Sequence, residues 1–379
     1  MNDETSSICC DTISRRRIRR WRCVSRVAAA LLVSLCGLSC SDNNTTVRTL
    51  APASPMAPST IDTVFSNSDA DDLNPRLLRR FMPLVAARTR RSAQLVKLGR
   101  LLFFEPLLSI DGSLSCNSCH PLDRYGMTGT ALNIGVNGKP SKRNAPSIYN
   151  TSEQFRQFWD GRALDPEEAV KGPLLNPNVM GMTEATLVKR LTEIEGYRQA
   201  FAVAYTTSPQ PISLEHVAQA IAEFERGLLT PARWDRYLAG DRTALTPKEK
   251  VGAKVFANLG CMVCHEGRLL GGSMFEKVGV VIPWENQTDR GRGKISNDPA
   301  DDMVFKVPSL RNVAKTAPYF NDGSVPTLPA AVQMMARHQL GISLSDEETA
   351  AIVSWLGALT GEIPVDYVRP PELPAARRP

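Results

Sequence analysis

The pentapeptide Cys-x-x-Cys-His occurs twice, as Cys116-Asn117-Ser118-Cys119-His120 and as Cys261-Met262-Val263-Cys264-His265. Two thiols three positions apart, followed at once by an imidazole, suit covalent attachment of a c-type haem. Each thiol adds across one vinyl group of the porphyrin, and the histidine falls beneath the iron as proximal ligand. A lone Cys-x-x-Cys also suits a redox dithiol or half of a zinc site. Both alternatives fit poorly here. The chain holds four histidines in 379 residues, and two of them directly follow a Cys-x-x-Cys. A zinc ribbon places its cysteine pairs about 15–20 residues apart, much closer than these. Aromatic residues make up only 6% of the chain, and two covalent macrocycles would supply the apolar ring surface that is missing.

Residues 1–39 read as an export segment. Seven arginines lie between Arg15 and Arg26, and the apolar run Val27 to Ser39 follows. That run is short for a bilayer span. Gly37-Leu38-Ser39-Cys40 is an imperfect lipobox, which makes Cys40 a candidate lipid anchor; ordinary cleavage and an uncleaved anchor are the alternatives. The segment carries seven Arg against three acids, so its removal takes the formal charge from +6 to about +2. The basic balance therefore gives no ground for nucleic-acid binding. Five of the nine cysteines lie at or before position 40, and the other four belong to the two motifs. The body has none left for a structural disulfide. Export agrees with c-type haem, which is attached outside the cytoplasm, and points to the periplasm.

Residues 40–75 are rich in Ser, Thr, Pro, Asn and Asp and read as a disordered linker. Amphipathic helix and loop follow. Helical spacing covers Ser92 to Phe104, Glu184 to Tyr205 and Leu214 to Leu229. Thr246-Pro247-Lys248-Glu249 is a capping box with proline at the first helical position. Ser345 caps a last helix running to about Leu359. Leu98-Gly99-Arg100-Leu101-Leu102-Phe103 before the first motif echoes Val251-Gly252-Ala253-Lys254-Val255-Phe256 before the second. No strand runs stand out. The fold class is mainly α: two cytochrome c-like domains, each with one covalent haem c, joined by long loops. Residues 76–240 form the N-terminal domain and 241–379 the C-terminal one.

A haem with one protein ligand can bind small molecules, and one with two is better suited to electron transfer. Candidates for a second ligand are few. His216 sits on an amphipathic helix among charged neighbours and reads as a surface or core residue. His338 lies close to Met334 and Met335.

Several further strings occur in order: Phe158-Trp159-Asp160-Gly161-Arg162, Lys171-Gly172-Pro173, Ala222-Glu223-Phe224-Glu225-Arg226, Pro308-Ser309-Leu310-Arg311-Asn312 and Thr316-Ala317-Pro318-Tyr319-Phe320. Together with the two motifs they resemble the bacterial dihaem cytochrome c peroxidases over roughly residues 92–362. The resemblance implies an enzyme that reduces hydrogen peroxide with electrons from a small donor such as a cytochrome c or a copper protein, and often a homodimer. It implies that His120 holds the peroxidatic haem and His265 the high-potential electron-entry haem. Met335 is the implied sixth ligand of the second haem, with Met334 and His338 as fallbacks. Trp159 matches the tryptophan that assists electron passage between the haems. The family's calcium ion falls on Asn144, Thr316 and Pro318, largely through backbone oxygens.

Three positions depart from the family pattern. Where many members carry a distal histidine, this chain has Val136. Where they carry a distal glutamate it has Val179, and where they carry a glutamine it has Ala169. Glu167, Glu168 and Glu184 are the nearby carboxylates that could substitute. Two other readings therefore stand beside the peroxidase: a dihaem electron-transfer protein, and a dihaem enzyme that oxidises a partner protein's side chain. The last branch carries a tyrosine where Met335 stands.

Overall fold

The computed structural model describes residues 72–85 and 92–375. The export segment, Cys40 and the expected linker up to residue 71 lie outside them. Among the described residues no helix is long and apolar enough to cross a membrane.

The echoed hexapeptides are the first half of two helix crossings. Ala93–Phe103 is capped by Ser92, whose Oγ accepts from the Leu95 N–H. It crosses Leu214–Glu225 at Gly99, where an added Cβ would fall on the Ala220 carbonyl and 2.9 Å from the Phe224 Cβ. Pro247–Asn258 opens on the expected capping box and crosses Asp346–Gly357 at Gly252. There an added Cβ would fall on the Ala351 carbonyl and 2.9 Å from the Trp355 Cβ. The two crossings thus match residue for residue: Gly99 with Gly252, Phe103 with Phe256, Ala220 with Ala351, and Phe224 with Trp355. Backbones this close admit no side chain. Gly99→Ala is expected to cost roughly 3 kcal/mol through overpacking, read as a lowered denaturation midpoint of the haem-loaded protein.

Each crossing seeds a core. Leu98, Leu102, Phe103, Tyr197, Phe201, Ile221 and Phe224 pack in the first. Trp234, Tyr237, Phe256, Trp355 and Leu356 pack in the second. A cut at 240/241 does not separate them, because Trp234 and Tyr237 lie in the second core. Leu73 and Phe81, from before the first motif, also pack there, while Val368 near the chain end packs in the first core. The reason is the aromatic wall of the second core. Trp234 meets Trp355 edge-on at 5.4 Å, and Phe81 covers Trp234 at the same distance. The end of the expected linker is accordingly fixed: the Leu73 N–H donates to Tyr237 Oη at 2.9 Å, and Leu73 is buried.

An ion pair locks the crossover. Arg311 and Asp235 meet through two bonds of 2.6 and 2.7 Å, both side chains buried. Asp235 also accepts the N–H groups of Leu84 and Ala232, each at 2.6 Å.

Three expectations about elements change. The helix expected over 184–205 is two, Glu184–Glu193 and Glu195–Ala204, because Ile194 is extended (φ −101°, ψ 114°). The bend lets Leu187 and Leu191 enter the first core together with Tyr197 and Phe201. The helix expected to reach Leu229 stops at Glu225, where the chain turns through Gly227. Among the described residues one small antiparallel pair exists, Phe275–Lys277 with Val304–Lys306. Three residues a side are too few for alternation to show in the sequence.

Candidate haem sites and the strand between them

Cys116–Cys119 forms a single helical turn with His120 as its C-cap, the His120 N–H donating to the Cys116 carbonyl at 2.9 Å. Cys261–Val263 forms a tighter turn, and the His265 N–H donates to the Cys261 carbonyl at 3.1 Å. The side chains repeat the likeness. His120 Nδ1 lies 3.2 Å from the Gly126 carbonyl, and His265 Nδ1 lies 3.0 Å from the Leu270 carbonyl. A carbonyl can only accept, so Nδ1 carries the proton and Nε2 keeps its lone pair for a metal. Burial lowers both imidazole pKa values, against the pull of the carbonyls, and holds the rings neutral. Gly271 makes room at the second ring: a Cβ there would sit 3.4 Å from His265 Nδ1 and on the Pro308 carbonyl.

The thiols argue against a redox dithiol. Cys116, Cys119, Cys261 and Cys264 form no disulfide. Burial raises the pKa of all four; that of Cys261 is pushed up to about 11. A reactive dithiol needs a thiolate formed by a lowered pKa, which these thiols lack. Among the described residues no group of three or more His, Cys, Asp or Glu could hold a metal ion. Neutral, half-buried thiols beside a neutral, oriented imidazole fit thioether attachment of haem.

The second-ligand candidates separate. Both ring nitrogens of the buried His338 are engaged, Nδ1 at 2.9 Å from the Ile282 carbonyl and Nε2 at 3.5 Å from Glu285. His216 is held 2.8 Å from the Pro211 carbonyl and stacks on Tyr205. His338 thus has a partner at each nitrogen, whereas His216 is engaged through Nδ1 alone. Met335 ends the Leu328–Met335 helix and packs, with Met334 and Trp159, against Trp284, Met303 and Phe305. Trp159 Nε1 donates to the Asn144 carbonyl at 2.8 Å, and the Trp159 carbonyl accepts from the Lys306 N–H at 2.8 Å.

Two of the three expected calcium residues meet. The Asn144 amide nitrogen donates to the Pro318 carbonyl at 2.7 Å. Thr316 stands two residues before Pro318, its Oγ1 bonded to Val313.

Two of the three positions that break the family pattern also meet. The Val136 N–H donates to the Val179 carbonyl at 2.9 Å, and Val136 is buried. Gly135 allows this approach, since a Cβ there would fall on the Asn178 carbonyl. Ala169 lies on the Pro166–Leu175 helix. The nearby carboxylates are committed or exposed. Glu167 grips Arg226 through two bonds of 2.6 and 2.8 Å, Glu168 accepts the Leu164 N–H, and Glu184 is exposed at a helix start.

A different carboxyl lies deeper. Matching Phe224 with Trp355 pairs Glu225 with Leu356, a core residue. Burial pushes Glu225 up to about 8; Arg226 opposes the rise and Glu167 adds to it. Its charge in turn raises the Cys116 thiol, after burial. The signal was available in sequence: Glu225 follows Val217, Ile221 and Phe224 on an apolar helical face. Between the ordinary value of 4.5 and about 8, the folded state holds a proton that the unfolded chain has lost. Stability therefore falls as pH rises through that window. Glu225→Gln is expected to flatten this slope, so that the variant gains most over the parent at pH 8. Thermal unfolding of the two proteins at pH 5 and pH 8 checks it.

Residues 93–243 match the family model for di-haem cytochrome c peroxidase. The chain is 39% identical over 282 residues to cytochrome c551 peroxidase of Nitrosomonas europaea, covering 74% of this chain and 84% of that one. The chain belongs to the di-haem cytochrome c peroxidase family. Its members include the methylamine utilization protein MauG of Methylophilus methylotrophus, 30% identical over 70% of this chain and 82% of that one. Among solved structures, a MauG-like protein associated with microbial copper homeostasis superposes with a TM-score of 0.66 at 30% identity, over 76% of this chain and 96% of that one. Membership makes the chain an oxidoreductase of cytochrome c peroxidase type and implies two covalent haems. The two matched helix crossings are those of two cytochrome c-like units.

Proposed function

We propose that this chain is a periplasmic dihaem peroxidase with two unequal haems. The reading rests on one contrast. Around both motifs the anchoring is the same: a cysteine pair, a neutral imidazole and a carbonyl on Nδ1. Beyond the anchors, Met335 and Trp159 share one apolar cluster, while Val136 and Val179 close on each other.

Cys261, Cys264 and His265 would hold the electron-entry haem, and the Met335 thioether would be the residue that favours reduced iron and a high potential there. Cys116, Cys119 and His120 would hold the other haem, with Val136 and Val179 standing where the family carries its distal histidine and glutamate. Bound there, haem supplies an iron that takes up hydrogen peroxide and passes it two electrons. With two protons the products are two waters. Trp159 relays between the sites, and its indole N–H is fixed by the Asn144 carbonyl. Turning the Asn144 amide over would present its oxygen to a calcium ion beside the Pro318 and Thr316 carbonyls. The donor is a small redox protein, a cytochrome c or a copper protein.

The valine wall sets the limit of the chemistry. Peroxide cleavage needs a base for the first proton and an acid for the leaving hydroxide, and neither Val136 nor Val179 offers one. That contact favours a second reading, a dihaem electron-transfer protein without efficient peroxide turnover. Stopped-flow mixing of peroxide with reduced cytochrome c and the dihaem protein decides between them. Turnover above that of free haem supports the peroxidase; turnover no higher than free haem leaves the electron carrier.

A further inference from the structure

Lys306 is the one buried lysine among the described residues. Other buried charges have partners of opposite sign. Asp160 is taken by Arg143 and Arg162, Asp235 by Arg311, and Glu249 by Arg233. The Lys306 ammonium meets only the neutral side-chain oxygen of Gln154. A buried ammonium with no counter-charge is costly, so the site is complete only if an anion reaches it.

Its position says which anion. The Lys306 N–H donates to the Trp159 carbonyl. The next residue, Val307, accepts from the Gly272 N–H at 2.8 Å. The Pro308 carbonyl then lies against Gly271, the residue that abuts the His265 ring. Gln154 itself leans on Gly272, 3.1 Å from where a Cβ would stand. The backbone at Lys306 therefore joins the tryptophan to the loop packed against the second imidazole, and Gln154, the partner of the ammonium, packs on that same loop. A haem c carries two propionate carboxylates, the anions its own pocket must neutralise.

We propose that Lys306 is the counter-cation of a propionate on the haem held by Cys261, Cys264 and His265, and holds that haem's potential up beside Trp159. The inference rests on the dihaem reading above. Burial alone, with no carboxylate opposing it, pushes Lys306 down to about 8; an apposed carboxylate restores the charge. A fixed positive charge disfavours the oxidised iron, so its removal lowers the potential.

The test uses the full, haem-loaded chain with Lys306→Gln and Lys306→Arg, haem content counted first. Spectroelectrochemical titration then reads each midpoint. The expected result is a lower midpoint for the His265 haem in Lys306→Gln, an unmoved His120 haem, and recovery in Lys306→Arg. An unmoved His265 midpoint, an equal drop in the Arg variant, or a shift confined to the His120 haem overturns the assignment. If Lys306→Gln fails to fold, the redox infrared difference spectrum of Lys306→Arg takes its place. Shifted propionate carboxylate bands support the contact, and unchanged bands overturn it. Fewer than two haems in the parent would sink the dihaem reading itself, whereas two haems with an unmoved midpoint sink only the role of Lys306.

Discussion

Val179→Glu is expected to raise peroxide turnover by roughly 10²–10⁴-fold, the usual worth of one positioned proton-transfer group. The backbone is already in place. Val179 N–H and Gly181 N–H both donate to the Asn176 carbonyl at 2.9 Å, and the Val179 carbonyl accepts from Val136. Only the side chain changes, and Val179 is half-buried rather than sealed, so a carboxylate can enter without an enclosed, unpaired charge. Glu167 cannot take this role while Arg226 holds it through both oxygens. Steady-state peroxide consumption by parent and variant, at equal haem content, measures the gain. An unchanged rate would mean that the pocket lacks more than a carboxylate, and would favour the electron-carrier reading.

Met335→Ala is expected to strip the electron-entry haem of its thioether. Axial ligation sets haem potentials over a wide range, so the midpoint should fall by on the order of 0.1 V or more. Turnover with reduced cytochrome c should drop at least about tenfold, the equivalent of roughly 1.4 kcal/mol of barrier. Met334→Ala is the control, since both methionines pack in the cluster with Trp159. If Met334→Ala shifts the potential and Met335→Ala does not, the ligand is one residue earlier. His338 is not a substitute, because the Ile282 carbonyl and Glu285 occupy its two nitrogens.

Motif spacing carried much of this in the sequence. Cys-x-x-Cys-His fixed the number of haems, and the Gly99 and Gly252 hexapeptides marked the first half of each helix crossing. Their partners Ala220 and Ala351 were unmarked, because alanine on a helix has many uses. The bend at Ile194 and the strand pair Val304–Lys306 were illegible for a related reason: each is decided by what packs against it. The same holds for the chain's return. Nothing about Leu73 or Val368 in sequence says that each crosses to the other core. Glu225 is legible in the sequence as a charge on an apolar face. Lys306 is not, since in sequence it is one basic residue in a short strand. Its lack of a counter-ion shows only when the partners of Asp160, Asp235 and Glu249 are known.

The inequality of the two haems is tested most directly by low-temperature EPR of the oxidised, haem-loaded protein. The account predicts one high-spin signal, from the His120 haem with an open face beside Val136 and Val179. It predicts one low-spin signal, from the His265 haem ligated by Met335. Two low-spin signals would contradict it, since a second protein ligand would then close the face on which peroxide must bind.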